Sequence, residues 1–296
     1  MSNVQKSVLL HSFFIHKEKT MDKRLLTIQD ISCVGQCSLT VALPIVSACG
    51  IETAILPSSV LSNHTAKGFS AWTFCDLTSE MPKILDQWKK ENIDFDAFYT
   101  GYVSKAQIPH ILDIMEQTAR EGALRIVDPV MGDYGVLYKG FDADFPLEMR
   151  RLCKGADVLL PNLTEASLLL GIPYCADNYA PSYIEEVIKG LHGLGCRNVV
   201  LTGVSFEPGK LGVACSDGKK VEYYFTDRLE VSMHGTGDVY ASSFAGALLR
   251  GKNLLEAASI AADFVVESIR QTLPDSDHWY GVKFEKAIPY LIERLK

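Results

Sequence analysis

What the chain lacks narrows its function first. No run approaches the roughly 20 consecutive apolar residues of a membrane-crossing helix. The stretch Val8-Leu9-Leu10-His11-Ser12-Phe13-Phe14-Ile15 is broken by polar residues, leads into Lys17-Glu18-Lys19 and has no A-x-A cleavage site, so it does not read as a signal peptide. There is no basic excess: 29 Lys+Arg stand against 36 Asp+Glu, a formal net charge of -7. Sequence-independent binding to nucleic acid or anionic membrane needs a basic surface and is disfavoured, whereas a nucleotide ligand needs only a few local donors. Eight cysteines are too sparse and irregular for a disulfide framework. Cys33 and Cys37 are near neighbours, but Cys49, Cys75, Cys153, Cys175, Cys196 and Cys215 supply no second pair. Buried thiols in a reducing cytoplasm therefore fit better than a zinc site. No Pro/Gly/Ser-rich linker, low-complexity tract or internal repeat divides the chain.

What remains is an ordinary globular composition, and its order is that of an α/β protein. Arg24 to Gln29 reads as a strand opening into a loop, Asp30 to Gly35. A helical stripe from Leu39 to Cys49 follows, then a short strand at Thr53 to Leu56 and a polar loop from Pro57 to Gly68. Helices at Met81–Asn92 and Lys105–Glu121 alternate with strands at Ala97–Thr100 and Leu124–Asp128. The alternation continues through strands at Asp157–Leu160 and Arg197–Thr202 and helices at Thr164–Leu170 and Ser182–Leu194. Such βαβ units predict a largely parallel, helix-covered sheet. The Asp217-Gly218 turn predicts a late antiparallel hairpin, followed by helices at Gly237–Leu249, Leu254–Arg270 and Phe284–Leu295. Residues 21–296 are expected to form one domain, and residues 1–20 an extension without a part in the chemistry, with Met21 an alternative start.

Ligands of open α/β sheets sit beyond the carboxyl ends of the strands, so Asp30, Gly101-Tyr102, Asp128, Asn162 and Thr202-Gly203 should converge on one rim. The most informative segment runs from His234 through Gly235, Thr236, Gly237 and Asp238 to Leu249, a Gly-rich turn entering a helix of small residues. Such a turn gathers backbone N–H groups at the positive end of a helix and binds an anion. Asp238 would repel that anion unless it accepts a proton from an incoming hydroxyl; the alternative is a plain helix cap. The Ala, Ser and Gly content of the helix suggests a backbone passing close beside it. In Pro161-Asn162-Leu163-Thr164-Glu165, an amide and a carboxylate share one helical turn. They suit a hydrated magnesium ion or, equally, a capping box. Asp128 and Asp133 lie on one turn, open to a metal–phosphate cluster or to solvent. The hydroxyls and amide of Ser58 to Thr65, with the Tyr102 ring, suit a small polar ring held by stacking and hydrogen bonds. His64 is assigned no catalytic role.

Gln29, Ser62-Asn63-His64-Thr65, Thr100-Gly101-Tyr102, Asp128-Pro129-Val130-Met131-Gly132-Asp133, Pro161-Asn162-x-x-Glu165 and Gly235-Thr236-Gly237-Asp238 occur in that order. Together they resemble the pyridoxal kinase branch of the ribokinase-like superfamily, from about Arg24 to the C-terminus. The resemblance implies a three-layer α/β/α sandwich with a mostly parallel central sheet. It also implies ATP-dependent phosphorylation of the 5′-hydroxymethyl group of pyridoxal, pyridoxamine or pyridoxine by a cytoplasmic homodimer. Asp238 would be the base and the amides of Gly235, Thr236 and Gly237 the anion hole. Asn162, Glu165, Thr202 and Gly203 would serve ATP and its phosphates, and Asp30, Thr65 and Tyr102 the vitamer. Mg2+ would lie by Asp128, Asp133 and Glu165, partly through water, with a monovalent cation such as K+ as an addition.

Two departures stand out. Asp30 occupies a position where the family commonly carries a small hydroxyl residue; it could accept from a protonated ring nitrogen or meet the cationic amine of pyridoxamine, and the expectation is a preference for pyridoxamine over pyridoxal. Leu160 replaces a polar residue before Pro161, so one nucleotide-side hydrogen bond is expected to be missing. The nearest alternative is a kinase of hydroxymethylpyrimidine or another small alcohol, though the pyrimidine branch commonly carries cysteine where Asp238 stands. A non-catalytic ligand sensor would be expected to have lost Asp238 or its glycines.

Overall fold

The computed structural model describes residues 23–65 and 68–296; the expected extension over residues 1–20 lies outside them. The chain first forms β1 (Arg24–Ser32), α1 (Leu39–Ala48), β2 (Glu52–Leu61), β3 (Phe74–Asp76), α2 (Met81–Lys90), β4 (Phe95–Thr100), α3 (Ile108–Gln117) and β5 (Ala119–Val127). It continues with β6 (Gly132–Asp133), β7 (Val136–Leu137), α4 (Phe145–Cys153), β8 (Val158–Leu159), α5 (Leu163–Leu170) and α6 (Pro181–His192). Last come β9 (Asn198–Val204), β10 (Lys210–Ser216), β11 (Val221–Asp227), α7 (Thr236–Leu249), α8 (Leu254–Thr272) and α9 (Phe284–Leu295).

One sheet takes the order β11-β10-β9-β8-β5-β4-β1-β2-β3, and β6 and β7 form a separate small hairpin. Its middle is parallel, while β3 at one edge and β10 and β11 at the other are antiparallel. Successive strand residues face opposite sides of a sheet, which is why two apolar layers form. Leu25, Ala97, Ile126, Val158 and Val200 pack with α1, α7, α8 and α9. Leu26, Phe98, Val127, Leu159 and Leu201 pack on the other face with α2 to α6. This is the expected α/β/α sandwich. The chain lays β2 on one side of β1 and β4 on the other, so the switch of direction that opens a ligand crevice lies at the carboxyl end of β1.

Three sequence expectations shift at element ends. Asp30 to Ser32 is strand rather than loop: β1 pairs with β2 through Ser32↔Leu61 across an irregularity between Gln29 and Ile31. β2 correspondingly continues through Pro57, whose missing N–H falls at that irregularity. The helix expected to reach Glu121 stops at Gln117, and Ala119 to Glu121 belong to β5. There the Arg120 guanidinium pairs with Asp94 at 2.7 Å and Asp96 at 2.6 Å on the neighbouring β4 side. Those long-range pairs tie the segment to the sheet, a contact that local helical periodicity does not reveal.

At Gly246 of α7 the close neighbour is a side chain rather than the backbone expected. A side chain at Gly246 would overlap the sulfur of Cys49, at the end of α1. Close helix approach here sets α7, and with it Asp238, against the end of β1.

Candidate active site

α7 begins at Gly235, which has φ 81° and ψ 0° and provides the N-cap without any side-chain cap. A β-carbon there would fall on the carbonyl oxygen of Gln36, so the 33–38 loop lies directly against the anion turn. Helix starts leave backbone N–H groups without intrahelical partners, and no side chain caps those of this turn. Asp238 sits in the first turn of α7 but is not its cap. Its carboxyl is pushed up to about 7, chiefly by burial; the Ser38 N–H turned toward it opposes that rise and the negative charge of Asp30 adds to it. A carboxylate poised near neutrality can take a proton in the working pH range.

The α1 start is strained. Ser38 has φ 54° and ψ -135°, a region that non-glycine residues adopt at a cost. That conformation sends its hydroxyl to Asp30 Oδ1 at 2.5 Å while the Ser32 hydroxyl donates to Oδ2 at 3.0 Å. Asp30 is only 5% exposed, and burial raises its carboxyl above the usual range despite those two hydroxyls. Tyr102 follows β4, with its phenol pushed up by burial and by Asp30. One side of its ring meets Phe141 at 5.2 Å, and Phe141 stacks on Phe145 at 3.8 Å. The Ser58 hydroxyl donates to the Tyr102 carbonyl, and Gln107 donates to the Ser58 carbonyl at 2.7 Å, which ties β2 to the β4 end.

Thr65 is exposed and borders residues 66–67, which lie outside the described set. His64 is buried, and its Nε2 meets the Tyr280 carbonyl at 3.1 Å. That carbonyl also accepts from Gln36 N, so His64 braces the loop against which Gly235 rests.

On the other side of the crevice, Asn162 and Glu165 form the capping box of α5. Glu165 accepts from Asn162 N at 2.9 Å through Oε2 and from Met131 N at 3.1 Å through Oε1. Asn162 Nδ2 donates to the Gly132 carbonyl at 2.9 Å. Both carboxylate oxygens of Glu165 are thus engaged in holding the Met131–Asp133 turn to α5. Burial nevertheless keeps Glu165 high, at about 7. Asp128 lies within the field of Glu165 and Asp238 and is pushed well above the usual carboxylate range, first by burial and then by those two charges. Asp133 is half-buried, also raised by burial, and caps the Tyr134 N–H at 2.9 Å. Asn162 bridges to Thr202 in parallel pairing, and Gly203 follows with φ 79°. Leu160 is buried in the apolar layer beneath.

Removing Glu165 would strand two buried amides, each costing about 1–3 kcal/mol. Glu165→Ala is expected to lower the unfolding free energy by about 2–4 kcal/mol in urea titrations, and Glu165→Gln, which keeps one acceptor, by about half as much. A loss below about 1 kcal/mol would argue against the strut role.

Hydrogen bonds and mutual electrostatics thus gather Asp30, Tyr102, Asp128, Asn162, Glu165, Gly235 and Asp238. Sequence reasoning missed Ser32 and Ser38, although a serine just before an apolar helical run is a recognisable helix-start signal for Ser38. It also missed Tyr138, whose phenol lies in the field of Glu165, Asp133, Asp128 and Asp238 and is raised far above its usual value by burial and those charges. Nothing local in the sequence marks that residue.

Residues 81–282 match the family described as Phosphomethylpyrimidine kinase. The chain belongs to the phosphomethylpyrimidine kinase family. The kinase is a phosphotransferase with an alcohol acceptor, and its fold is ribokinase-like. Among curated relatives, pyridoxal kinase from Dictyostelium discoideum is 28% identical over 247 residues, 78% of this chain and 80% of that one. A solved structure from Bacteroides thetaiotaomicron, described as a phosphomethylpyrimidine kinase crystallised with pyridoxal, has a TM-score of 0.86 and 37% identity. It covers 91% of this chain and 96% of its own. The pyridoxal kinase structure from Lactobacillus plantarum gives a TM-score of 0.84 and 33% identity, over 92% of this chain and 97% of that one. Among the described residues no helix is long and apolar enough to cross a membrane.

Proposed function

We propose that this kinase transfers the γ-phosphoryl group of ATP to the 5′-hydroxymethyl group of a vitamin B6 vitamer, with Asp238 as the general base. The observation that carries this reading is the Asp238 carboxyl, raised to about 7 at the first turn of α7 and beside the loop amides from Gly235. The relatives named pyridoxal kinase, and the pyridoxal held by the 37%-identical Bacteroides protein, support a B6 vitamer as the acceptor. In this reading the vitamer ring lies by Tyr102 and Thr65, with Asp30 at its edge.

Phosphoryl transfer asks the protein mainly for positioning and charge stabilisation. The amides of Gly235, Thr236 and Gly237 receive the transferring phosphoryl oxygens. Asp238 accepts the hydroxyl proton as that oxygen attacks phosphorus. Asn162, Thr202 and Gly203 line the nucleotide side. Mg2+ would be held largely through water by Asp128 and Asp133, with Glu165 as the support of the Met131–Asp133 turn. When bound, Mg2+ neutralises charge on the phosphates. A monovalent cation such as K+, homodimeric assembly, a cytoplasmic location and residues 21–296 acting as one kinase domain complete the proposal.

A second reading, phosphorylation of hydroxymethylpyrimidine or its phosphate, is favoured by the family description itself. Both heterocycles carry a hydroxymethyl group beside a ring nitrogen system, so the acceptor must be tested directly. ADP release from purified protein is measured with pyridoxal, pyridoxamine, pyridoxine, hydroxymethylpyrimidine and its phosphate. The B6 reading expects a kcat/KM for at least one vitamer at least about tenfold above either pyrimidine, the low end of what a methylene-sized difference in a pocket discriminates. The reverse order assigns the pyrimidine.

A further inference from the structure

Asp30 is a buried carboxylate that takes up no proton in the transfer step. The groups that face it are the hydroxyls of Ser32 and Ser38, the Cys37 thiol, the Tyr102 phenol and a second acid, Asp238. Among the described residues no lysine or arginine lies within salt-bridge distance of its carboxylate. A buried carboxylate without a cation is costly unless a ligand supplies one. The hydroxyl contacts occupy two of its roughly four lone-pair sites, so it keeps acceptor capacity. The fold also spends backbone strain to hold it: Ser38, at φ 54°, aims its hydroxyl at Asp30 over 2.5 Å.

In the B6 reading, on which this inference rests, Tyr102 lies against the ring and Asp238 meets the 5′ hydroxyl; Ser38 links Asp30 to Asp238, its hydroxyl on the one and its N–H toward the other, and Asp30 acts on the Tyr102 phenol. It therefore belongs at the ring edge next to the 5′-bearing carbon. Of the two ring positions flanking that carbon, one carries hydrogen and the other carries the 4′ substituent. The 4′ substituent is what separates the vitamers: an aldehyde, a hydroxymethyl group or an aminomethyl group. Only the aminomethyl group is a cation near neutral pH.

We propose that Asp30, oriented by Ser32 and Ser38, recognises the 4′ ammonium group and makes pyridoxamine the preferred acceptor. Pyridoxine, nearly the same shape but neutral at that position, would leave the buried carboxylate without its counter-charge.

The test compares kcat/KM for pyridoxamine, pyridoxine and pyridoxal in the full chain with saturating ATP, for the wild type and for Asp30→Asn, Asp30→Ser and Ser38→Gly. The wild type is expected to favour pyridoxamine over pyridoxine by about tenfold or more. Asp30→Asn and Asp30→Ser should cut that ratio by at least about tenfold, with the change carried mainly by KM for pyridoxamine. Ser38→Gly, which removes the hydroxyl while suiting the positive φ, should shift the ratio in the same direction by a smaller factor. A wild type that treats pyridoxine and pyridoxamine alike overturns the proposal, as do Asp30 variants that lower both vitamers in proportion. If the Asp30 variants fail to fold, the wild-type ratio and Ser38→Gly decide. A wild type that turns over pyridoxine or pyridoxal but shows no amine dependence sinks this inference alone, whereas one that phosphorylates no vitamer sinks the B6 reading with it.

Discussion

Asp238→Asn is expected to lower kcat by about 10²–10⁴-fold, the usual contribution of a positioned general base. Asparagine preserves the shape of the side chain and removes its basicity, so nucleotide affinity should change little. The measurement is steady-state turnover alongside ATP binding by calorimetry. Near-wild-type turnover would take the proton acceptor away from this residue, and loss of ATP affinity would indicate damage to the anion turn instead. The pH profile offers an independent check. The base works only when ionised, and burial, assisted by Asp30, holds it at about 7 in the ligand-free site. The kcat/KM for a neutral acceptor should therefore fall as pH drops through that range. Removing the charge at Asp30 takes away a repulsion that raises Asp238, so Asp30→Asn should move this limb to lower pH.

The architecture was legible because its signals are local and repeated. Alternating strands and helices predicted the layered sheet, and the Asp217-Gly218 turn predicted the β10–β11 hairpin. The helix Phe284–Leu295 was placed at its observed ends. What escaped depended on distant partners. β5 begins at Ala119, which pairs with Phe95 while Arg120 reaches Asp94 and Asp96, and β3 is three exposed residues paired with Ser59 to Leu61. The same division runs through the site. Asp238 and its glycines were readable because a turn entering a helix has a known chemistry. Glu165 was ambiguous between metal ligand and cap, and the two amides that occupy its oxygens could be seen only in space. Ser38 was overlooked because its significance lies in a backbone angle and in a carboxylate eight residues away.

Gly235→Ala tests whether the anion turn and the 33–38 loop operate as one unit. Two effects add. At φ 81° an alanine pays a left-handed penalty of roughly 1–2 kcal/mol, and its β-carbon would overlap the Gln36 carbonyl. Because that neighbour is backbone, relief requires moving the loop. Gln36 is held at Tyr280, and Ser38 lies two residues further on, with its hydroxyl on Asp30 and its N–H toward Asp238. A displaced loop therefore disturbs amide donors, base and Asp30 together. Loss of a single preorganised donor costs about 10²–10³ in kcat, so Gly235→Ala is expected to lose at least that much and to show a lower thermal midpoint. Gly237→Ala provides the contrast. No atom lies within 4 Å of a β-carbon there, and alanine is favoured over glycine in a helix by up to about 1 kcal/mol. Its melting temperature should hold or rise even if phosphoryl transfer suffers. Equal destabilisation by both substitutions would mean that the close approach to Gln36 has no energetic consequence and that the loop is positioned by other contacts.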